Sequence, residues 1–430
     1  MEERYNIVIV GSGVAALYAA LQFPQDKSVL MITKDDIEHS DSFLAQGGIC
    51  VLKTPDDYKS FFDDTMKAGH YENRKSSVDI MIRSSKDTIN ELIGYGVDFA
   101  HDADGKLLYT REGAHSKPRI LYHEDETGRE ITSALLRAVR SSRPNVLIRE
   151  MTPMVDIVCD GNRCIGVVAR RPDGEMETIM ADYVMLACGG IGGLYDSSTN
   201  FSQLTGDGIA ICMEHGVALE NINYVQIHPT TLYSTTPGRR FLISESVRGE
   251  GALLYGADME RFTNELLPRD LLTAKIRKQM KKDNKPFVWL DMRPIGTEEI
   301  KSHFPNIYMH CLEEGYDVTK ECIPVTPAQH YFMGGIHVDE DSLTTMPHLY
   351  AIGETACNGV HGRNRLASNS LLESLVFAKR AAVHVINHYK PQSDIRPEVD
   401  YRPYADAEKL ARERRQRIIA EIERLDENDK

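Results

Sequence analysis

A β-branched run that breaks into glycines within twenty residues of the start constrains this chain more than any other feature. Tyr5-Asn6-Ile7-Val8-Ile9-Val10 precedes Gly11-Ser12-Gly13-Val14-Ala15-Ala16, and Leu17-Tyr18-Ala19-Ala20-Leu21 follows. Strand, tight turn and helix in that order form the first βα unit of a doubly wound, dinucleotide-binding sheet. Gly11 can take the dihedrals of the turn, Gly13 lets the backbone approach a pyrophosphate, and Ala16 lets the helix pack closely on the strand. The first N–H groups of the helix then face the phosphates, with Ser12, Val14 and Ala15 beside them. The competing reading is an ordinary strand-to-helix turn.

That opening fixes what should come next. Ser28-Val29-Leu30-Met31-Ile32-Thr33 reads as the second sheet strand, at whose end an acidic residue commonly holds the adenosine ribose. Thr33-Lys34 stands there instead, with Asp35 and Asp36 one or two residues late. Lys34 is therefore the group expected at the ribose or a phosphate, against the alternative of a solvated strand end.

At 430 residues the chain exceeds what one core usually serves, so two domains and a tail are expected. A net charge of −14 argues against a nucleic-acid or anionic-membrane binder, and an anionic substrate would need cations gathered locally. The eight cysteines contain no C-x-x-C pair, so we expect reduced thiols in a cytoplasmic protein and no metal site. Met1-Glu2-Glu3-Arg4 has no apolar signal region, and no stretch approaches a membrane-spanning length.

The spacing predicts amphipathic helices over 78–92 and 130–139. A strand meander is expected over 146–150, 154–158 and 164–169, with a turn at Arg171-Pro172-Asp173-Gly174. A further sheet strand covers 183–188, and Gly206-Asp207-Gly208 opens a helix over 209–215. From about residue 221 to 331 the chain turns rich in histidine, arginine and proline, which reads as an insertion. The sheet pattern then returns at 349–354, and Ser370-Leu371-Leu372-Glu373 has the S-x-x-E form of a capping box before a helix over 374–387. Residues 405–425 read as a charged helix that docks through Ile418, Ile422 and Leu425. The expected layout is α/β. A Rossmann-like cofactor domain takes 1–221 and 332–389, an α+β capping domain 222–331, and a short helical tail 390–430.

The loop Asp41-Ser42-Phe43-Leu44-Ala45-Gln46-Gly47-Gly48 offers hydroxyl, amide and flexible backbone groups suited to a ring with polar edges. Four strings follow in order: Gln226-Ile227-His228-Pro229-Thr230, Glu245-Ser246-Val247-Arg248-Gly249-Glu250-Gly251, Leu267-Pro268-Arg269-Asp270, and Gln329-His330-Tyr331-Phe332-Met333-Gly334-Gly335-Ile336. The last is Gly353-Glu354-Thr355-Ala356 with 362–373. In this order and over 5–389, the chain resembles the flavoprotein family of succinate dehydrogenase, fumarate reductase and L-aspartate oxidase.

The resemblance implies FAD rather than NAD, with ring contacts near Gln46, Gly47 and Gly48. Asp41 stands where the dehydrogenases and membrane-bound reductases carry the histidine that attaches FAD covalently, and His39 is out of register, so noncovalent FAD is expected. The helix after Ser370 and Leu371 would direct its N-terminus at the flavin's N1 and C2 oxygen, where charge accumulates on reduction. Glu354, and less strongly Asp207, resemble ribityl or ribose contacts.

His228, His330, Arg269 and Arg365 are cationic or hydrogen-bonding groups suited to holding both ends of a dicarboxylate. The resemblance places them, with Gln226 and Ser244, in the substrate pocket. It also implies that Arg269 donates and accepts the proton, with Glu245 and Arg248 as its relay; the competing reading of those two is a structural ion pair. A guanidinium hardly releases a proton near neutral pH, so the role needs a desolvated, cation-crowded site.

Thr110-Arg111-Glu112-Gly113-Ala114-His115-Ser116, with Arg119, resembles the aspartate oxidases in particular. Glu112 gives an ammonium its counter-charge, where succinate would offer nothing to pair with; the bland alternative is a loop charge bridged to Arg111 or Lys117. The expected activity is oxidation of L-aspartate to iminoaspartate, the flavin being reoxidised by oxygen or fumarate, at the entry to quinolinate and NAD biosynthesis and in functional cooperation with a quinolinate synthase. The alternatives are a soluble fumarate reductase or succinate-oxidising flavoprotein, and a flavin-binding scaffold without turnover. Aspartate oxidases commonly continue into a helical C-terminal domain, whereas this sequence ends at Lys430, which leaves the oligomeric state open.

Overall fold

The computed structural model describes residues 3–392, 395 and 397–428. Met1 and Glu2, part of the short lead read ahead of the first strand, and Lys430, read as the end of the tail, lie outside the described residues.

Strand β1 (Glu3–Val10) is paired on both edges, in parallel with β2 (Val29–Ile32) on one side and with the long β6 (Met176–Leu186) on the other. Its side chains alternate between two cores. Ile7, Ile9, Val29 and Met31 join one, while Val8, Val10, Leu30 and Ile32 join the other. A sheet buried on both faces reads as an unbroken apolar run, which is why these strands stand out in the sequence. The parallel sheet continues outward through β3 (Val146–Arg149), which pairs with β2.

The first face is covered by α1 (Val14–Gln22), α3 (Lys75–Gly94), α4 (Thr127–Ser142) and α10 (Asn369–Asn387), with α2 (Tyr58–Ala68) packed on α3. Every residue of α1 from Val14 to Leu21 is buried. Its alanines let α10 approach closely through Ala378, Ala381 and Ala382, and burying a side chain such as Leu17 contributes about 2 kcal/mol. On the second face stand the meander strands β4 (Met154–Asp160) and β5 (Arg163–Arg170), α5 (Asp207–Glu214) and α11 (Ala407–Asn428). Ile418 is fully buried in that core with Ile422 and Leu425 packed beside it, so the terminal helix docks as expected. Arg414 ties it down, donating to the Val155 carbonyl at 2.8 Å and pairing with Glu214 at 2.8 Å.

On the edge away from β1, strand β6 takes two partners in turn, all within one seven-stranded sheet. Its first half pairs antiparallel with β5, and its last residues pair in parallel with β11 (Leu349–Ala351). Between them the chain builds a separate antiparallel sheet in the order β7 (Val225–Leu232), β10 (Ile323–Phe332), β9 (Val288–Asp291), β8 (Leu253–Tyr255). This sheet packs with α7 (Arg269–Asp283), α8 (Thr297–His303) and α9 (Pro305–Glu313) around its own core. The architecture is a doubly wound α/β sheet with a second, smaller α+β layer. Among the described residues no helix is long and apolar enough to cross a membrane.

Three expectations need correction. Residues 146–149 are not part of the meander but the edge strand of the parallel sheet, because β2 offers them an unpaired edge that their own sequence does not reveal. The helix expected from 374 begins at Asn369, so Ser370 lies in its first turn and cannot cap it. Glu373 instead accepts from the Asn358 amide and from Ser374 Oγ, and no capping box forms. The strand expected over 349–354 stops at Ala351 and ends in a 3-10 turn, Gly353–Thr355.

Gly11 sits at φ +128°, and a Cβ there would come within 2.0 Å of the Ala187 carbonyl oxygen. Gly11→Ala should therefore cost at least about 2 kcal/mol and release the cofactor. Flavin absorbance per mole of purified protein, read with the melting temperature, checks this; a variant that keeps both would contradict it.

Candidate active site

The carboxyl ends of β1, β2, β6 and β11 open into one cavity of about 720 Å3 that runs on to the inserted sheet. A crevice outside the strand ends of a doubly wound sheet is where such folds bind nucleotides. Gly11, Ser12, Gly13, Val14 and Ala15 line one end, and Asp41, Ser42, Gln46, Gly47 and Gly48 the middle. Ser370 and Leu371, from the first turn of α10, line it too. Ser368 is the N-cap of that helix, but its side chain does not bond the helix N–H groups, which leaves them free at the cavity wall. Gln46 Oε1 is buried without a partner, an acceptor waiting for a ring N–H. The residues present fit FAD.

Lys34 does not stand free at the end of β2. Its Nζ lies 2.6 Å from Asp207 Oδ2 and 3.2 Å from Thr205 Oγ1, so two residues expected to bind cofactor separately form one pair at the cavity wall. Asp41 and Glu354 each accept one backbone N–H, from Phe201 at 3.0 Å and Phe332 at 2.9 Å. Burial pushes both carboxyls above the usual range, and Asp41 adds repulsion at Glu354. In the protonated form either can donate to a ligand oxygen.

At the other end of the cavity the inserted sheet delivers a cluster of charge. Arg269, the first residue of α7, donates through Nε to Glu245 Oε2 at 2.6 Å and through Nη1 to Gln226 Oε1 at 2.8 Å. Arg365 Nε reaches the same Gln226 oxygen at 3.2 Å, its Nη1 bonds Ser370 Oγ, and its guanidinium stacks 4.3 Å over the Tyr331 ring. Gln226 is thus fully consumed, since Nε2 donates to Asn364 Oδ1 and the Arg365 carbonyl, both at 2.8 Å. It does not line the cavity, and its bonds hold the two guanidiniums in place.

Glu245 opens the short helix α6 (Glu245–Gly249), whose N-cap Ser244 also lines the cavity. Arg248, one turn on, lies behind Glu245 with Nη2 at 3.7 Å from the shared Oε2, and donates to the Glu265 carbonyl at 2.6 Å. It is buried, with Nε and Nη2 lacking hydrogen bonds, and does not line the cavity. Burial holds the Arg248 guanidinium below its usual range and pushes that of Arg365 down to about 10. Glu245 is held low by Arg269 and Arg248, against its own burial.

The two histidines meet edge to face, ring centres 5.1 Å apart. His330 Nδ1 lies 2.8 Å from Thr199 Oγ1. His228 Nε2 lies 3.0 Å from the Ile243 carbonyl, which can only accept, so Nδ1 is left buried and unpartnered. Burial and the nearby Arg269 push both rings well below the usual range, so they are neutral. A neutral His228 offers an acceptor at Nδ1, so gripping a carboxylate oxygen there requires proton uptake with the ligand.

Glu112 is buried at the floor of this cluster and lines the cavity. Oε1 accepts from Ser246 Oγ at 2.8 Å and Oε2 from Ser368 Oγ at 2.6 Å, while Ser368 Oγ itself receives the Gly48 N–H at 3.1 Å. A Cβ on Gly47 would come within 2.7 Å of Glu112 Oε1. The flavin loop therefore needs glycine where it passes this carboxylate. Lys117 pairs with Asp57 instead, so the bridged-loop alternative does not hold there.

Sequence reasoning missed Ser246, Ser368 and Tyr331, although all three lie inside strings it singled out. It also missed Asp125, which carries no local signal. This buried carboxylate accepts from Asn306 Nδ2 at 2.8 Å and from the Asn306 and Ile307 N–H groups at 3.2 and 2.7 Å. It thereby clasps the first turn of α9, in the inserted layer, to a loop of the cofactor layer at the cavity mouth. Asp125→Ala should cost about 1–2 kcal/mol and raise KM for the substrate more than it lowers kcat. Denaturant unfolding and steady-state kinetics check this; unchanged stability and KM would contradict it.

The model of the FAD binding domain family matches residues 6–371. An L-aspartate oxidase of Clostridium perfringens is 47% identical over 99% of this chain and 96% of its own length. One of Pseudomonas aeruginosa is 38% identical over 89% of this chain and 75% of its own. Among solved structures, a mutant of E. coli quinol fumarate reductase superposes with a TM-score of 0.85 at 29% identity, covering 97% of this chain and 74% of that one. FAD is the cofactor, and the chain belongs to the L-aspartate oxidase family of flavoproteins related to succinate dehydrogenase and fumarate reductase.

Proposed function

We propose that the chain oxidises L-aspartate to iminoaspartate and passes the electrons to oxygen, giving hydrogen peroxide, or to fumarate. Glu112 carries this reading. Its carboxyl is buried, bonded only to hydroxyls, and without a cation at ion-pair distance among the described residues. Burial, with Glu245 nearby, pushes it above the usual carboxylate range. A ligand ammonium supplies the missing cation, and a carboxylate satisfies the Arg365 guanidinium, which has no acidic partner at ion-pair distance among the described residues. A dicarboxylate that carries an amine meets both demands; succinate meets one.

FAD, when bound, supplies the hydride acceptor. The protein's part is charge and proton handling. As CH–NH3+ becomes C=NH2+, one hydride leaves Cα and one proton leaves nitrogen. Glu112 orients the nitrogen, and Arg365 with the histidines orients the carboxylates. Two guanidiniums, Arg269 and Arg248, share Glu245 in a buried site, and the three side chains make a path for that proton. The reading extends to a quinolinate synthase that consumes the short-lived imine in NAD biosynthesis, and to a reducing cytoplasm that suits eight free thiols.

Glu112→Gln should lower kcat/KM for L-aspartate at least about 30-fold while leaving succinate oxidation equal or improved. Equal losses on both substrates would overturn the assignment and favour a fumarate reductase or succinate oxidase. The pH dependence has a definite sign. Glu112 must be ionised to pair with ammonium, and burial holds its proton above the ordinary carboxylate value. kcat/KM for L-aspartate should therefore fall as pH drops through a limb above that value, and the limb should vanish in the Gln variant. A limb unchanged in the variant would assign it to another group.

A further inference from the structure

One helix length from the cofactor cavity, at the far end of α5, stands a second chemical cluster that the oxidation of aspartate does not use. Cys159 Sγ lies 3.7 Å from His215 Nδ1, and His215 Nε2 lies 2.7 Å from Asp156 Oδ1. Thiol, imidazole and carboxylate thus stand in line, each within reach of the next, the arrangement that activates a nucleophile and fixes its base. Asp156 is itself held by the Ile157 N–H at 2.8 Å and the Tyr404 hydroxyl at 2.6 Å.

The local backbone is shaped for this. Asp156 and Cys159 lie three apart on β4, a spacing that on a regular strand points side chains to opposite faces. Register shifts beside both residues break that alternation, and both reach the same imidazole. His215 caps the C-terminus of α5, where the helix dipole favours a cation. Asp156 and the thiol hold its ring up to about 10, so it is an imidazolium at neutral pH. The ring nitrogen stands against the sulfur, placed to exchange its proton with it.

Of the eight cysteines, five are buried, and Cys159, Cys188 and Cys322 are partly exposed. Cys188 lines the cofactor cavity. Cys322 touches Arg293 at 3.7 Å, yet burial and Asp291 push its thiol up. Cys159 alone among the partly exposed thiols has an imidazole base with an oriented carboxylate behind it.

We propose that Cys159 is a peroxide-reactive thiol, activated by His215 and aligned through Asp156, that hydroperoxides oxidise to sulfenic acid. The thiolate attacks one peroxide oxygen, the S–O bond forms as the O–O bond breaks, and sulfur loses two electrons. The departing hydroxide, or alkoxide from an organic hydroperoxide, takes the proton of His215 and leaves as water or alcohol. The site is independent of the substrate reading above, although oxygen-driven turnover would generate its oxidant nearby.

The test treats the FAD-loaded enzyme with hydrogen peroxide, traps sulfenic acid with dimedone, and reads each cysteine peptide by mass spectrometry. Cys159 should label at least about tenfold faster than Cys322. His215→Gln should slow Cys159 labelling at least about tenfold, with flavin absorbance and melting temperature kept. Cys159→Ser should lose the label and keep aspartate turnover. Equal labelling of Cys322 and Cys159 in the unmodified sequence, a comparison that needs no variant, would overturn the proposal, as would a folded His215→Gln enzyme that labels at the original rate.

Discussion

Two buried guanidiniums, Arg269 and Arg365, share a single neutral acceptor, the Oε1 of Gln226, and the rest of the site is arranged around that economy. A carboxylate in the same place would hold the two cations as firmly but cancel the charge that draws an anionic substrate. An amide positions them without neutralising them, and its own hydrogens are used up on Asn364 and the Arg365 carbonyl. One side chain on β7 thereby locks the start of α7 against the loop leading into α10. The inserted sheet and the parallel sheet cannot separate without leaving buried donors unmet, a cost of about 1–3 kcal/mol for each.

The consequence is a cavity with deliberate imbalance. Arg269 has Glu245, but among the described residues Arg365 has no acidic partner at ion-pair distance and Glu112 bonds only hydroxyls. Buried charge without a counter-charge is costly and is retained where a ligand completes it. Under the proposed function, those two incomplete groups are the places for one carboxylate and one ammonium. Ser368 links the second to the cofactor loop, because its hydroxyl joins the Gly48 N–H to Glu112.

Legibility in the sequence followed the range of the interaction. The glycine turn after β1 was readable because strand, turn and helix lie within about twenty residues and each leaves a local mark. The same holds for α11, whose apolar stripe at Ile418, Ile422 and Leu425 docks as its spacing implies. The edge strand Val146–Arg149 was misplaced because only β2, more than a hundred residues away, decides which sheet it joins. Lys34 looked free because Asp207 lies 173 residues on, and the S-x-x-E at Ser370 misled because Glu373 is claimed by Asn358. The residues expected at the substrate end came from family resemblance, not from spacing. What resemblance could not supply was which of them face the cavity and which, like Gln226, stand behind it.

The central claim is that an ammonium and a carboxylate together complete this site. Anaerobic mixing of the yellow enzyme with L-aspartate, followed by admission of oxygen or fumarate, tests it most directly. The account predicts that L-aspartate bleaches the flavin absorbance, that succinate does so far more slowly, and that the colour returns with either acceptor. Failure of L-aspartate to bleach, or equal bleaching by succinate, would contradict it.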